Sequence, residues 1–475
     1  MFAVKINLGN GDAYVSQVSV LNEFRQTVDP DNAEEFADNN WLYNVKDQGN
    51  KGGNVQRLVL YGGPGGKRRV HDLLCPIFDH SLLPYFHSPD QQMDLRAFLL
   101  ILFLSPLLLG YNGVEGARES LEREDMELEK QLKLLNKPAV KTIETEYGDT
   151  YDCVDFYKQP AFDHPLLKNH SFHFQMKPTL SLKRNRDQVS SRVRESAHIE
   201  LKGGGCPIGT VPIRRITKED LIRERNASKL MSFADNTIGA HYAVARTRPG
   251  PNKFNGAGAR LSVHNPRVSG RQYSASRFLL RNGNDAIQAG WRVDPTLYGD
   301  TRTRRFIRLD AGQSHCFNTR CPGFVQVRSD KLLDLVYSQI SKRGELGYEA
   351  PLFIDRDLVN GNWWLLVGEN NTEVGFWPKR IFSGLADLAS NAEWGGEVFS
   401  PPATPSPDMG SGFPLVGDTK YDAFLRNVEV VNAAGKNINV YDLETFVDTR
   451  KYGVVDLENT KLGHLVLYGG PPYSF

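Results

Sequence analysis

Phe353-Ile354-Asp355-Arg356-Asp357-Leu358-Val359, Asn360-Gly361 and Asn362-Trp363-Trp364-Leu365-Leu366-Val367 follow one another without a break. Two runs rich in bulky apolar residues, parted by Asn-Gly, read as a β-hairpin. A two-residue turn needs positive φ at both positions, and Asn and Gly tolerate it best. Working outward, Arg260-Leu261-Ser262-Val263 and Phe324-Val325-Gln326-Val327 alternate, and Glu373-Val374-Gly375-Phe376-Trp377 reads as a further strand. In this half only Ile381–Ala392 reads as a helix. Many short strands, frequent glycine and little helix predict an antiparallel β-sandwich over 236–475, in a chain that is mainly β.

Upstream the texture differs. Residues 118–136 read as a charged helix with Leu121, Met126, Leu128, Leu132 and Leu135 on its apolar positions, and Pro138 follows its end. The stretch up to 235 is mixed and rich in His, Pro and basic residues. Lys183, Arg184, Arg186, Arg192 and Arg194 cluster without interleaved aromatics, the composition of an exposed, protease-sensitive linker rather than a nucleic-acid site. The chain carries 57 basic and 56 acidic residues, so no net charge draws it to nucleic acid or to acidic membranes.

Met93-Asp94-Leu95-Arg96 precedes an unbroken apolar run from Ala97 to Leu109, then Gly113, Gly116 and Ala117. This has the form of a signal peptide over 93–117, and the run is too short for a bilayer span of about 20 residues. It follows 92 residues that echo the end of the chain. Leu58-Val59-Leu60-Tyr61-Gly62-Gly63-Pro64 recurs as Leu465-Val466-Leu467-Tyr468-Gly469-Gly470-Pro471. Val18-Ser19-Val20-Leu21-Asn22 matches Val428-Glu429-Val430-Val431-Asn432, 43 and 40 residues before the respective tyrosines. Residues 1–92 therefore read as a partial duplicate of the C-terminal tail, joined upstream from a neighbouring related gene. A duplicated hairpin module is the alternative. Secretion, to a cell wall or apoplast, is the expected localisation.

Five cysteines fit a secreted protein with few bridges. Cys316 and Cys321 are close enough for a local disulfide, Cys153 and Cys206 can form a second, and Cys75 is left over. Sequons begin at Asn169, Asn226 and Asn370. No metal or cofactor is expected: His/Cys ligand spacing is missing, Gly256-Ala257-Gly258 is no dinucleotide fingerprint, and Gly62–Lys67 is no P-loop. There is no Gly-x-Ser-x-Gly elbow.

Two segments are more specific. One is Ala286-Ile287-Gln288-Ala289-Gly290-Trp291-Arg292-Val293, continuing to Leu297-Tyr298-Gly299-Asp300. The other is Glu393-Trp394-Gly395-Gly396-Glu397-Val398, followed by Met409-Gly410-Ser411-Gly412. Together with Cys316–Gln326, Asn362–Leu365 and Gly375–Pro378, they resemble the neprosin family of plant secreted glutamic peptidases. Upstream, Asp152–Asp155, Gln159–Leu167 and Cys206–Arg215 resemble that family's activation peptide. The resemblance implies a secreted proenzyme: a mixed α/β propeptide at 118–235 covering the cleft of a catalytic β-sandwich at 236–475, with acid activity and proline-directed cleavage. Its partners would be a peptide or protein substrate and its own propeptide, with no nucleic acid, and no membrane once the signal is removed. The family uses two glutamates. Glu397 matches the second, as general base and acid, whereas Gln288 stands at the first. A Gln–Glu pair remains chemically sensible, because an amide can donate to a developing oxyanion. The family's C-terminal cysteine pair is also missing here, a crosslink worth about 3 kcal/mol.

The competing reading is an inactive β-sandwich that binds peptide or wall polymer through Trp291, Trp363, Trp364 and Trp377. A cleft shared by Gln288 and Glu397 favours the enzyme; burial of either against apolar residues favours the binder.

Overall fold

The computed structural model describes residues 122–179, 193–195, 204–231 and 239–471, except Gln313, Leu346 and Ala403, together with the backbone of short strands between Phe2 and Gly62. The chain divides into two compact units, Met1–Gly110 and Tyr111–Phe475. In the first, Phe2–Gly9, Asp12–Leu21 and Thr27–Val28 form one antiparallel sheet, and Ala37–Asp38, Tyr43–Asp47 and Val59–Gly62 form another. The signal-like segment from Met93 and the odd Cys75 lie outside the described residues.

In the second unit, α1 spans 122–135, within the predicted charged helix. The strands β1 (Ala139–Glu144), β2 (Thr150–Asp155) and β3 (Thr210–Arg214) form a small sheet in the order β3-β2-β1, and the helix α2 covers Lys218–Met231. Cys153 on β2 is bonded to Cys206.

The rest is a two-layer sandwich. One sheet has seven strands: β4 (Ala240–Arg246), β6 (Tyr273–Asn282), β7 (Asp285–Val293), β8 (Arg304–Ala311), β9 (Ser314–Phe317), β14 (Asn391–Phe399) and β16 (Glu444–Val447), in the order β9-β8-β7-β6-β14-β4-β16. The other is built on β5 (Phe254–Ser262), β10 (Val325–Gln326), β11 (Gly347–Arg356), β12 (Trp363–Val367), β13 (Thr372–Trp377), β15 (Ala423–Asn432), β17 (Gly453–Thr460) and β18 (Gly463–Gly469). Its order is β10-β13-β12-β11-β5-β15-β18-β17. This part of the chain is thus the antiparallel β-sandwich that the turn pattern predicts.

Side chains alternate across a strand, so each strand of the seven-stranded sheet splits its residues between two faces. Ile287, Ala289, Trp291, Phe278, Leu280 and Trp394 take the inner face and are fully buried. The indole N–H of Trp291 donates to the Ser262 carbonyl at 2.7 Å, and that of Trp394 to the Gly258 carbonyl at 3.2 Å, which ties this face to β5. The opposite face carries Gln288, Arg277, Glu393 and Glu397, and it holds the site.

Two local expectations need correction. The hairpin of β11 and β12 exists, with Arg356 paired to Trp363, but its turn is longer than Asn360-Gly361. The loop closes where Asp357 N–H donates to the Asn362 carbonyl (2.8 Å), and of the two turn residues only Gly361 has positive φ. The Asp357 carboxylate organises it, accepting from Val359 N–H (2.9 Å) and the Asn360 amide (2.7 Å). Ile381–Ala392 is not a helix. A single 3-10 turn, Lys379–Ile381, gives way to irregular chain that reaches β14. Asp285 explains it: its carboxylate accepts from the backbone N–H groups of Ser383 (2.7 Å), Gly384 (2.6 Å) and Leu385 (3.1 Å). Asn282 donates to the Gly384 and Leu388 carbonyls. Backbone groups that a helix would pair internally are taken by side chains of the β6–β7 turn.

The activation region is built into the same core. Tyr151, Cys153, Val154 and Phe156 are buried in one cluster with the sandwich interior. Gln159 binds the edge strand β10 as another strand would: its amide oxygen accepts from Gln326 N–H (2.8 Å) and its amide nitrogen donates to the Gln326 carbonyl (3.1 Å). Thr179 donates twice to Asp357, and Tyr151 donates to Asp334 at 2.8 Å.

Candidate active site

The pleat and register of five strands arrange the outer face of the seven-stranded sheet in rows. Leu279 on β6 is in register with Gln288 on β7 and with Glu393 on β14. Gln288 is in turn opposite Arg308 on β8, and Glu393 opposite Arg246 on β4. One row therefore reads Arg308, Gln288, Leu279, Glu393, Arg246. The next, two residues along, has Arg277 between Gly290 and Gly395. The third has Ala275 between Arg292 and Glu397, with Tyr242 beyond.

The two glycines leave the space on either side of Arg277 unfilled by side chains. A Cβ at Gly290 would lie 2.0 Å from the Ser276 carbonyl oxygen, and one at Gly395, where φ is +149°, would lie 2.2 Å from that of Ala243. This face carries a pocket of about 340 Å³ whose lining includes Tyr242, Val244, Arg277, Leu279, Gln288, Glu393, Glu397 and Phe446. Gln288 and Glu397 do share a cleft, the arrangement that favours an enzyme.

Arg277 is the centre of the site. It is 3% exposed, contacts Glu393 Oε1 at 2.6 Å through Nη1, and donates from Nε to Glu397 Oε2 at 2.8 Å. The other Glu397 oxygen accepts from Tyr273 Oη at 2.8 Å. Burial alone would raise the Glu397 pKa. The charges of Arg277 and Arg292 and the bonds from Arg277 and Tyr273 outweigh it and lower the pKa to about 2. Arg292 itself is held by Asp294 and stacks 3.4 Å above the Tyr273 ring. Glu397 is thus a fixed anion. Glu393 differs, because one of its oxygens has no partner among the described residues. The Gln288 amide is likewise without a hydrogen bond to any described residue, and its side chain is only 7% exposed.

Of the residues singled out in the sequence, Gln288 and Glu397 come together here. Glu393, Arg277 and Tyr273 are additions. Glu393 precedes Glu397 by four residues, an even spacing that puts both on one face of a strand. Arg277 is the lone charge in Tyr273–Leu280, which marks a charge in need of a buried partner. Cys316 and Cys321 are bonded across the β9 loop. Asn169 and Asn370 are exposed, and Asn226 lies on α2. Trp291, Trp363, Trp364 and Trp377 are fully buried, which removes the surface on which the binding reading relied. Among the described residues, no group of three or more His, Cys, Asp or Glu side chains could hold a metal ion. Of the described activation region, no residue lines the pocket. Its contacts with the sandwich instead include β10 and the β11–β12 loop.

The sequence profile described as Neprosin matches residues 270–471, and that described as Neprosin activation peptide matches residues 142–256. The chain belongs to the neprosin family. The neprosin motifs now have physical roles. In Glu393-Trp394-Gly395-Gly396-Glu397, Trp394 anchors the inner face while the flanking glutamates project outward. A Cβ on Gly396 would meet Met409 Sδ at 2.5 Å and Tyr468 Cδ2 at 2.6 Å, so Met409-Gly410 and the tail tyrosine pack directly beneath the motif. Among solved structures, the neprosin-family chain is similar to scytalido-glutamic peptidase bound to a peptide-based transition state analog. That match has 11% identity over 48% of this chain and 97% of that one, with a TM-score of 0.28. It is also similar to SCP-B, an eqolisin-family peptidase in complex with the tripeptide Ala-Ile-His, with 9% identity over 49% and 98% of the two chains and a TM-score of 0.29.

Proposed function

We propose that this neprosin-family protein is a secreted, acid-active endopeptidase with proline-directed cleavage, in which Gln288 and Glu393 act on the scissile bond and Glu397 holds the electrostatic frame. The observation that carries this reading is the row Gln288–Leu279–Glu393, which sets an amide and a carboxylate on either side of Leu279 at the pocket wall. Glu393 takes a proton from the attacking water. The Gln288 amide donates to the oxyanion as the carbonyl becomes tetrahedral. Glu393 then returns the proton to the leaving amine.

Glu397 serves the base role less well. Both of its oxygens are engaged, and a carboxylate held near a pKa of about 2 is a weak base. Its place is to fix Arg277, which in turn orients Glu393. The apolar walls from Tyr242, Val244, Leu279 and Phe446 suit a pyrrolidine ring, which supports the proline preference. Two disulfides and the apolar run after Met93 support secretion.

The test is expression from Met93, acidification, and digestion of a proline-containing peptide by the wild type, Glu393→Gln, Glu397→Gln and Gln288→Leu. Loss of cleavage in Glu393→Gln and Gln288→Leu, with folded proteins, supports the reading. Full activity in Glu393→Gln and none in a folded Glu397→Gln would return the base role to Glu397. No cleavage by folded, processed wild type would end the peptidase reading.

A further inference from the structure

The pocket is lined by four cations: Arg246, Arg277, Arg281 and Arg308. Three of them are committed. Arg277 serves Glu393 and Glu397, Arg308 is bonded to both oxygens of Asp310, and Arg246 is paired with Glu444 at 3.1 Å. Arg281 is not committed. It is exposed, and its guanidinium has no partner among the described residues. It stands on β6 one step beyond Leu279 on the same face, in register with Ala286 of β7 and Asn391 of β14. That places it diagonally next to both Gln288 and Glu393.

From this we infer that Arg281 is a specificity-determining residue: it receives a carboxylate side chain, Asp or Glu, of the peptide substrate at a subsite adjoining the scissile bond. The inference rests on the peptidase reading for its meaning, since the subsite is defined by Gln288 and Glu393. A guanidinium binds a carboxylate through two parallel N–H donors, and Arg281 keeps all of its donors for the ligand. Asp310 and Glu397 are held by other arginines and Glu393 by Arg277 through one oxygen, and none of these lining anions pairs with Arg281. Alanine at position 286, opposite Arg281, leaves the β7 side low. The pairing is partly open to water, so it favours an acidic peptide over its neutral analogue by about threefold to fivefold rather than by orders of magnitude.

The preference has a definite pH course. A guanidinium is cationic at any of these pH values, whereas a substrate Asp or Glu loses its charge below a pKa of about 4. Discrimination is therefore present near pH 5.5 and disappears towards pH 3. It also shrinks as salt is raised.

The experiment separates binding from cleavage. Two labelled peptides that differ only in Glu against Gln beside the proline are titrated by fluorescence anisotropy against Glu393→Gln protein, with and without Arg281→Gln, at pH 5.5 and pH 3. The same peptides are digested by wild type. Tighter binding of the Glu peptide at pH 5.5, abolished by Arg281→Gln and at pH 3, is the expected result. Equal binding of the two peptides, or a preference that survives Arg281→Gln, overturns the inference whether or not wild type cleaves them. Failure of wild type to cleave either peptide, with the binding preference intact, counts against the peptidase reading alone.

Discussion

Gln288 and Glu393 stand two strands apart at one level of the seven-stranded sheet, each in register with Leu279. Neighbouring strands are about 4.8 Å apart, so the two backbones lie roughly 10 Å from each other. The Leu279 side chain projects from the strand between them and floors that interval, and a peptide bond would lie above it. Glu397 is four residues further along β14, about 13 Å away by strand rise, and reaches the site through Arg277.

Glu393→Gln should lower kcat/KM by about 10²–10⁴-fold, the range for loss of a general acid–base group. Its melting temperature should fall less than that of Arg277→Met, because the Gln amide oxygen can still accept from Arg277 and Glu397 still pairs with that cation. A parallel fall in stability and activity would mean that Glu393 is structural.

Glu397 makes stability depend on acidity. Its pKa is lowered to about 2 in the folded protein against 4.5 for the free side chain, so the proton binds the unfolded chain more readily. Its contribution is complete above pH 4.5 and is lost as pH falls towards 2. The size is on the order of 3 kcal/mol. Urea denaturation at pH 6, 4 and 2.5 should show this slope, and Glu397→Gln should flatten it. An unchanged slope in the variant would show that other carboxylates set acid stability.

Arg277→Met should destabilise the protein by about 3–5 kcal/mol, since it strands Glu397 without its cation in a buried site. The double variant Arg277→Met/Glu397→Leu should recover part of that loss, because both members of the buried pair are then apolar. Denaturation of the single and double variants closes the cycle, and simple additivity would break the proposed coupling.

Gly396→Ala should cost about 1–3 kcal/mol, the usual range for overpacking. The added methyl group meets Met409 and Tyr468, neither of which touches substrate in the proposed geometry. The loss should be partly relieved by Met409→Ala. No relief would place the strain on the Tyr468 side alone.

Much of this was legible in the sequence. Asn-Gly between apolar runs gave the β11–β12 hairpin, because strand composition and a turn signal act locally. It misjudged the turn, because Asp357 draws in N–H groups from Val359 and also from Thr179, almost 180 residues earlier. The expected helix at Ile381–Ala392 failed for a related reason. Asp285 captures three backbone donors there, and nothing local announces a partner about 100 residues distant. Gln288 and Glu397 could be chosen from motif resemblance. Glu393 could not be ranked above Glu397, because both lie on one face and only the register with Leu279 tells them apart. The cover expected from the propeptide is not found on the pocket among its described residues, since how a segment docks is a tertiary property.

Gln159 carries one more consequence. Its side-chain amide stands in for a missing strand, filling the hydrogen-bond positions of Gln326 at the border of the larger sheet. Processing that removes this stand-in would uncover a short row of open donors and acceptors, the template on which proteins join sheet to sheet. The activation region is then a sealant as well as a precursor segment, and the matured protein would be the more prone of the two to self-association. Gln159→Ala in the precursor should reproduce that tendency as concentration-dependent oligomers in analytical ultracentrifugation, before any cleavage has occurred.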